Sequence, residues 1–270
     1  MSGPIQNKNT DRKWDLHREM YNSHDVVSQY SSHEYLTPAE NAILALLRCD
    51  LADMYMLDVG VGGGRTVEHF APLVRSYIGV DIAEEMIKAC RTKFPQYNFA
   101  VADAADLSHY GDESFDFILF SYNGIDHLDL DRRHRSLREF RRLLRPRGHL
   151  AYSSHNINFL PMRLRELRPR FSFHPFRFAG QLKRYLRFTS MNQFKTWSST
   201  LPRQVVYEIF SNRCGVPCMY VRPDAETDAL GELGFGNIKI ISDVSGEEVK
   251  GERELAAIIE PWVYYLCRKA

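Results

Sequence analysis

The sequence predicts an α/β fold of the doubly wound kind, and three observations carry that prediction. An apolar strand, Met56 to Val59, runs straight into a glycine-dense turn ahead of a helical pattern. Short apolar runs then alternate with amphipathic helical stretches, which is the pattern of parallel crossover units. The first three of these runs contain or end on an aspartate: Asp58, Asp81 and Asp103.

The elements follow in order from their periodicities. Leu36-Thr37-Pro38-Ala39-Glu40 predicts a helix start, with Thr37 as N-cap, Pro38 at the first helical position and Glu40 at the third, before the apolar run Ala42 to Leu47. Strand one follows. Thr66, Phe70 and Leu73 mark the first crossover helix, Tyr77 to Val80 the second strand, and Ala83 to Lys93 the second helix, which Pro95 ends. Phe99 to Ala102 and Ser114 to Phe120 are strands three and four, the latter opening onto the turn-prone Ser121-Tyr122-Asn123-Gly124. A helix over Arg132 to Leu144 and a fifth strand over His149 to Ser153 come next. Further on, Val205 to Phe210 and Cys218 to Val221 predict a hairpin, Pro223 to Leu233 a helix, and Ile238 to Ser242 and Trp262 to Cys267 the last two strands. Val244 to Glu254 reads as a charged surface loop.

Composition sets bounds on function. A chain of 270 residues, 44 % hydrophobic and 26 % charged, is an ordinary globular protein of one to two domains. No window approaches the roughly 20 consecutive apolar residues of a membrane helix, and Met1 to Lys13 is polar, so a cytoplasmic protein is expected. Five scattered cysteines argue against a disulfide framework, and Cys214-Gly-Val-Pro-Cys218 has no second ligand pair at zinc spacing, so no metal is expected.

The glycine turn is spaced G-x-G-x-G at Gly60, Gly62 and Gly64, leaving no Cβ where the backbone turns tightly beside a ligand. A dinucleotide fingerprint is spaced G-x-G-x-x-G instead. With Asp58 placed inside the strand to meet an ammonium or a turn amide, the pattern points to S-adenosylmethionine (SAM) more than to NAD. Asp81, 21 positions after Gly60, is placed to accept both ribose hydroxyls, with Ile82 and Met86 beside it as further cofactor contacts. The carboxylate of Asp103 and the amide of Ala104 suit an adenine edge, and Ser121, Tyr122 and Asn123 are placed to orient cofactor or substrate.

Asp58 to Gly64, Asp81, Asp103, Phe115 to Phe120 and Leu143 to Leu150 together resemble the motif series of class I SAM-dependent methyltransferases, well from Leu36 to Asn156 and loosely over the last forty residues. The resemblance implies a seven-stranded, mostly parallel sheet with one antiparallel strand, completed by residues 223–270 and preceded by an N-terminal helical cap over residues 1–35. In similar enzymes such a cap closes over SAM, which makes Tyr21 and Tyr30 expected cofactor neighbours.

Residues 157–222 depart from that core as an α-rich and hairpin insertion after strand five. Between Ile157 and Arg203, ten basic residues stand against the single acid Glu166, within a chain of net charge +1. Aromatics including Phe173, Phe176, Phe194 and Trp197 interleave with them. This suits an anionic small-molecule substrate, with an RNA or DNA face as the alternative. A catalytically inactive SAM-binding module is a third reading. An alcohol acceptor needs a base, and Asp126, His127 and His155 stand at carboxyl strand ends; Asp126 equally suits an N-cap of the following helix. The resemblance also favours metal-independent methylation of a sugar or secondary metabolite, since Ser121-Tyr122-Asn123-Gly124 is not the Asn-Pro-Pro-Tyr-like tetrapeptide of amino-methylating DNA enzymes.

Overall fold

Ten strands form one sheet among the residues described by the computed structural model, 18–171, 174–192, 201–210 and 213–270. Phe173, Phe194, Lys195 and Trp197 of the basic segment, and residues 1–17 of the expected cap, lie outside the described residues. The strands are β1 Tyr55–Val59, β2 Ser76–Asp81, β3 Asn98–Val101, β4 Phe115–Phe120, β5 Leu144–Asn156, β6 Arg203–Phe210, β7 Arg213–Val221, β8 Phe235–Ser242, β9 Glu248–Val249 and β10 Trp262–Lys269. Their spatial order is β3-β2-β1-β4-β5-β10-β8-β9.

Seven of these, β1 to β5 with β8 and β10, are the expected core, and β10 is antiparallel to both β5 and β8. The other three exceed the expected count. The short β9 pairs with β8 inside the stretch expected to be a loop. The antiparallel hairpin β6–β7 joins the sheet where β7 runs parallel to the end of β5, at His155↔Tyr220 and Asn156↔Val221. This is possible because β5 spans 13 residues, not the expected five. Arg145-Pro146-Arg147-Gly148 carries turn residues, but the strand absorbs them as an irregularity between Phe115 and Phe117 of β4, with Arg147 at φ 66°.

Helices cover both faces. They are α1 His24–Ser31, α2 Pro38–Leu47, α3 Val67–Phe70, α4 Glu84–Lys93, α5 Leu130–Leu143, α6 Leu160–Leu167, α7 Pro175–Asn192, α8 Pro223–Glu232 and α9 Glu252–Ala257. The capping box of α2 is present: Glu40 N donates to Thr37 Oγ1 at 3.3 Å, and Thr37 N donates to Glu40 at 2.7 Å. The first crossover helix is only one turn long and passes into a 3-10 turn over Ala71–Leu73 that contains Pro72. Helix α5 begins earlier than expected because Asp129, not Asp126, is its cap, accepting from Arg132 N at 2.9 Å.

Apolar residues fill both sides of the sheet. Ile43, Met56, Phe70, Phe117 and Tyr264 belong to one layer, and Leu57, Ile118, Phe140, Tyr152 and Tyr265 to the other. A third cluster joins the insertion to the N-terminal helices and to α4: Val26, Met86, Leu160, Phe188, Val206 and Tyr220, with Tyr21 and Tyr30 packed against it. The insertion is thereby fixed over the carboxyl ends of the strands. Among the described residues, no helix is long and apolar enough to cross a membrane.

Candidate active site

The carboxyl ends of β1, β2 and β4 open into one crevice, where an open parallel sheet places its ligands. Its floor is the turn after β1. Gly60 and Gly62 stand at φ 63° and 54°, in the left-handed region that glycine adopts without strain. A Cβ on Gly60 would lie 2.7 Å from the Phe120 ring, and one on Gly63 only 2.4 Å from the backbone of Ser31. Helix α1 thus rests directly on the loop, and bare backbone is required beneath it. Gly64 serves packing, since a Cβ there would meet Phe94 at 2.5 Å.

Asp81 lies at the end of β2 on one side of the loop. One carboxylate oxygen accepts from Gly62 N at 2.9 Å and the other from Ala83 N at 2.8 Å. Burial raises its pKa, and the amides pull the other way. Its remaining lone pairs face the crevice beside Ile82 and Met86, while Ala102 and Ala104 continue the wall. These residues fit an adenosyl group: a cradle without Cβ atoms, an acid for vicinal hydroxyls and an apolar slot for a ring. Asp81→Ala is expected to weaken SAM binding by about 1–3 kcal/mol, the cost of unpairing hydroxyls from a charged acceptor. Titration calorimetry reads this directly, and unchanged affinity removes Asp81 from the site.

Asp58 is buried in β1, where the hydroxyls of Thr66 (2.5 Å) and Tyr77 (2.7 Å) both donate to it. Burial raises its carboxyl to about 6 in spite of those hydroxyls. Beyond it lies a buried network that sequence reasoning missed. Arg65 forks onto Glu40 of α2 with two bonds of 2.5 Å, donates to Tyr35 O at 2.9 Å and lies 4.8 Å from the centre of the Tyr122 ring. Ser121 donates to the same carboxylate and is 2.8 Å from the hydroxyl of Tyr264 on β10. Burial alone would raise the Glu40 pKa, but Arg65 holds it below the usual carboxylate range. Glu40 and Arg65 are 25 positions apart, and no periodicity links them; only the basic residue directly after Gly64 was visible.

The far side of the crevice is formed by Ser121, Tyr122 and His127 after β4. Tyr21 and Tyr30 stand against it, with ring centres 5.9 Å apart, and Tyr21 lies 6.0 Å from His127. Arg18 and His33 also line the wall, and neither had a motif to mark it.

Five expected site residues stand outside the crevice wall. Gly64 has been described. Asp103 is turned back on its own chain, accepting from Ala105 N at 2.9 Å and pairing with Arg132, so its carboxylate sits in a neighbouring hollow beside Arg18 and Ala102. Asn123 takes φ 62° and donates its N–H to Ser153 at 2.7 Å. Asp126 is buried, with one oxygen accepting from Arg133 (2.6 Å) and Ser154 (2.5 Å) and the other from the backbone N–H (2.6 Å) and Nδ1 (2.8 Å) of His155. Although burial would raise its pKa, His155 and Arg133 keep Asp126 below the ordinary value. The His155 ring faces Tyr220, 4.8 Å away, and Trp262.

Residues 57–152 match a family model described as a methyltransferase domain. A search of curated proteins returns no match. Among solved structures, the chain is similar to a SAM-dependent methyltransferase of Thermotoga maritima, a possible histamine N-methyltransferase. The identity is 19 %, the coverage 96 % of this chain and 100 % of that one, and the TM-score 0.55. It is also similar to 1,6-didemethyltoxoflavin-N1-methyltransferase of Burkholderia thailandensis, solved with 1,6-didemethyltoxoflavin and S-adenosylhomocysteine, at 15 % identity, 100 % and 93 % coverage and a TM-score of 0.59. At such identities the likeness speaks for the fold. The matched domain spans the strands whose ends build this glycine-floored crevice, so residues 57–152 form a methyltransferase domain, in a chain with the Rossmann-like fold of the SAM-dependent methyltransferases to which it is similar.

Proposed function

We propose that the enzyme moves the methyl group in line onto an oxygen or nitrogen of a small, anionic acceptor such as a sugar, a nucleotide-sugar or a secondary metabolite. The observation that carries this reading is the single crevice with Asp81 on one side of β1 and His127 on the other, closed in by Tyr21 and Tyr30. Such a space suits a compact acceptor enclosed by the chain's own side chains. Arg18 on its wall, without an ion pair among the described residues, favours a negative charge on the ligand.

SAM supplies a sulfonium whose methyl is already activated, so the protein has chiefly to position the acceptor and take one proton. Asp81, Ile82, Met86 and Ala104 hold the adenosyl part, and Gly60, Gly62 and Gly63 let it lie close to the backbone. Tyr30, Ser121 and Tyr122 border the reacting end. His127 is the base of this reading, because it alone of the three candidates lines the crevice. Asp126 and His155 act behind it: their bonds anchor the 3-10 turn Gly124–His127 to β5, which fixes where the His127 ring stands.

Two measurements test the proposal. Methyl-labelled SAM incubated with enzyme and a deproteinised cell extract is expected to pass label to the small-molecule fraction. Label found only in added RNA or DNA, or no transfer at all, overturns the assignment of the acceptor. The second concerns Asp58. Its carboxyl is raised to about 6, and a cationic ligand favours the ionised form, so SAM affinity is expected to rise with pH through about 6 and level off near 7. Linkage makes binding about tenfold weaker at pH 5 than on the plateau. An affinity flat from pH 5 to 7.5 removes Asp58 from the cofactor's charge balance.

A further inference from the structure

Helix α7 carries Arg177, Lys183, Arg184 and Arg187 and no acidic residue. Its inner side is fixed by packing. Phe188 is buried and joins Tyr185 against Val206, Cys218 and Tyr220 of the β6–β7 hairpin, and Asn192 exchanges two bonds with the backbone of Tyr207, at 3.1 and 2.8 Å. Helical periodicity therefore turns Phe176, Lys183 and Arg187 to the opposite side, flanked by Leu186. Phe176 is 87 % exposed and Leu186 55 %. Among the described residues none of the four cations of α7 is ion-paired, and the exposed Arg165, Arg168 and Arg170 extend the same positive field just upstream.

Large exposed apolar side chains set beside cations that have no ion pair among the described residues fit one class of partner. We propose that this outward face of α7 docks on an anionic lipid surface, with the helix lying flat in the headgroup layer, Phe176 and Leu186 entering the acyl boundary, and the lysine and arginines on lipid phosphates. The charges are complementary to such a surface. A polynucleotide fits less well, because Leu186 has no ring for a base to stack on. The inference is independent of the acceptor, since it concerns a face outside the crevice.

Sedimentation of the full chain with phosphatidylcholine vesicles, with and without phosphatidylglycerol, tests it. Binding is expected only with the anionic lipid and falls as salt rises. Each cation at such a surface is worth roughly fivefold in partitioning, so Lys183→Glu with Arg187→Glu is expected to weaken it at least about 30-fold. Phe176→Ser is expected to weaken it about tenfold through lost apolar insertion. Both variants change outward side chains only, so circular dichroism and SAM binding are expected to match the parent and to show that the fold is intact. The proposal is overturned if the parent stays in the supernatant with anionic vesicles, or if either variant sediments as the parent does. Retention on RNA without vesicle binding overturns it in favour of a polynucleotide face.

Discussion

Arg133→Met is expected to destabilise the protein by about 3–5 kcal/mol, seen as a lower urea midpoint at unchanged slope. Arg133 is only 1 % exposed and bridges two carboxylates, Asp126 at 2.6 Å and Glu226 at 2.5 Å. Tyr152 donates to the same Glu226 oxygen at 2.7 Å. Methionine fills much the same volume, so the loss does not come from a cavity. It comes from leaving two acids facing each other in a dry interior, where uncompensated charge is costly. One of the two must then take a proton, so the deficit is expected to shrink as the pH is lowered toward the carboxylate range. A loss below about 1 kcal/mol would mean that water reaches the site and screens the pair.

His127→Gln is expected to lower label transfer from SAM by about 10²- to 10⁴-fold, the usual range for a positioned base, with SAM affinity near that of the parent. Glutamine keeps hydrogen-bonding capacity and approximate size but accepts no proton at neutral pH. The geometry motivates this choice: His127 is on the crevice wall, while Asp126 is wholly enclosed and the His155 ring is turned toward Tyr220 and Trp262. His155→Gln keeps a side chain able to bond Asp126 and is expected to cost less. If the order is reversed, with His155→Gln the more damaging, the base is His155 and the acceptor enters from the hairpin side. If neither matters, positioning alone suffices, as it can for an amine.

The fold was legible wherever local chemistry dictates it. Pro38, Thr37 and Glu40 mark a helix start because a box of short-range bonds needs those residue types in that order. Gly60 to Gly64 mark the loop because positive φ and close approach exclude side chains. Asp81 was legible for the same reason, its place at a strand end being fixed by the crossover. What sequence reasoning missed is non-local. Glu40 serves two purposes, capping α2 and meeting Arg65, and only the first is written within a few residues. Asp103 and Asp126 sit at expected positions, yet their carboxylates are claimed by Arg132 and Arg133, adjacent on α5, whose facing is set by packing and not by spacing. The extended β5 was hidden by its own proline and glycine.

The place of β10 has a consequence for how the molecule assembles. It lies between β5 and β8 but follows both in the chain, about a hundred residues after the strand it completes. Until it arrives, β5 and β8 each present a row of unpaired amides and carbonyls along apolar strands, the kind of edge that recruits strands from other chains. Closing a loop of that length before any contact is gained makes the step slow. The interval before β10 inserts is therefore the vulnerable stage of biogenesis, when crowding of partly built chains decides between a sound enzyme and an aggregate.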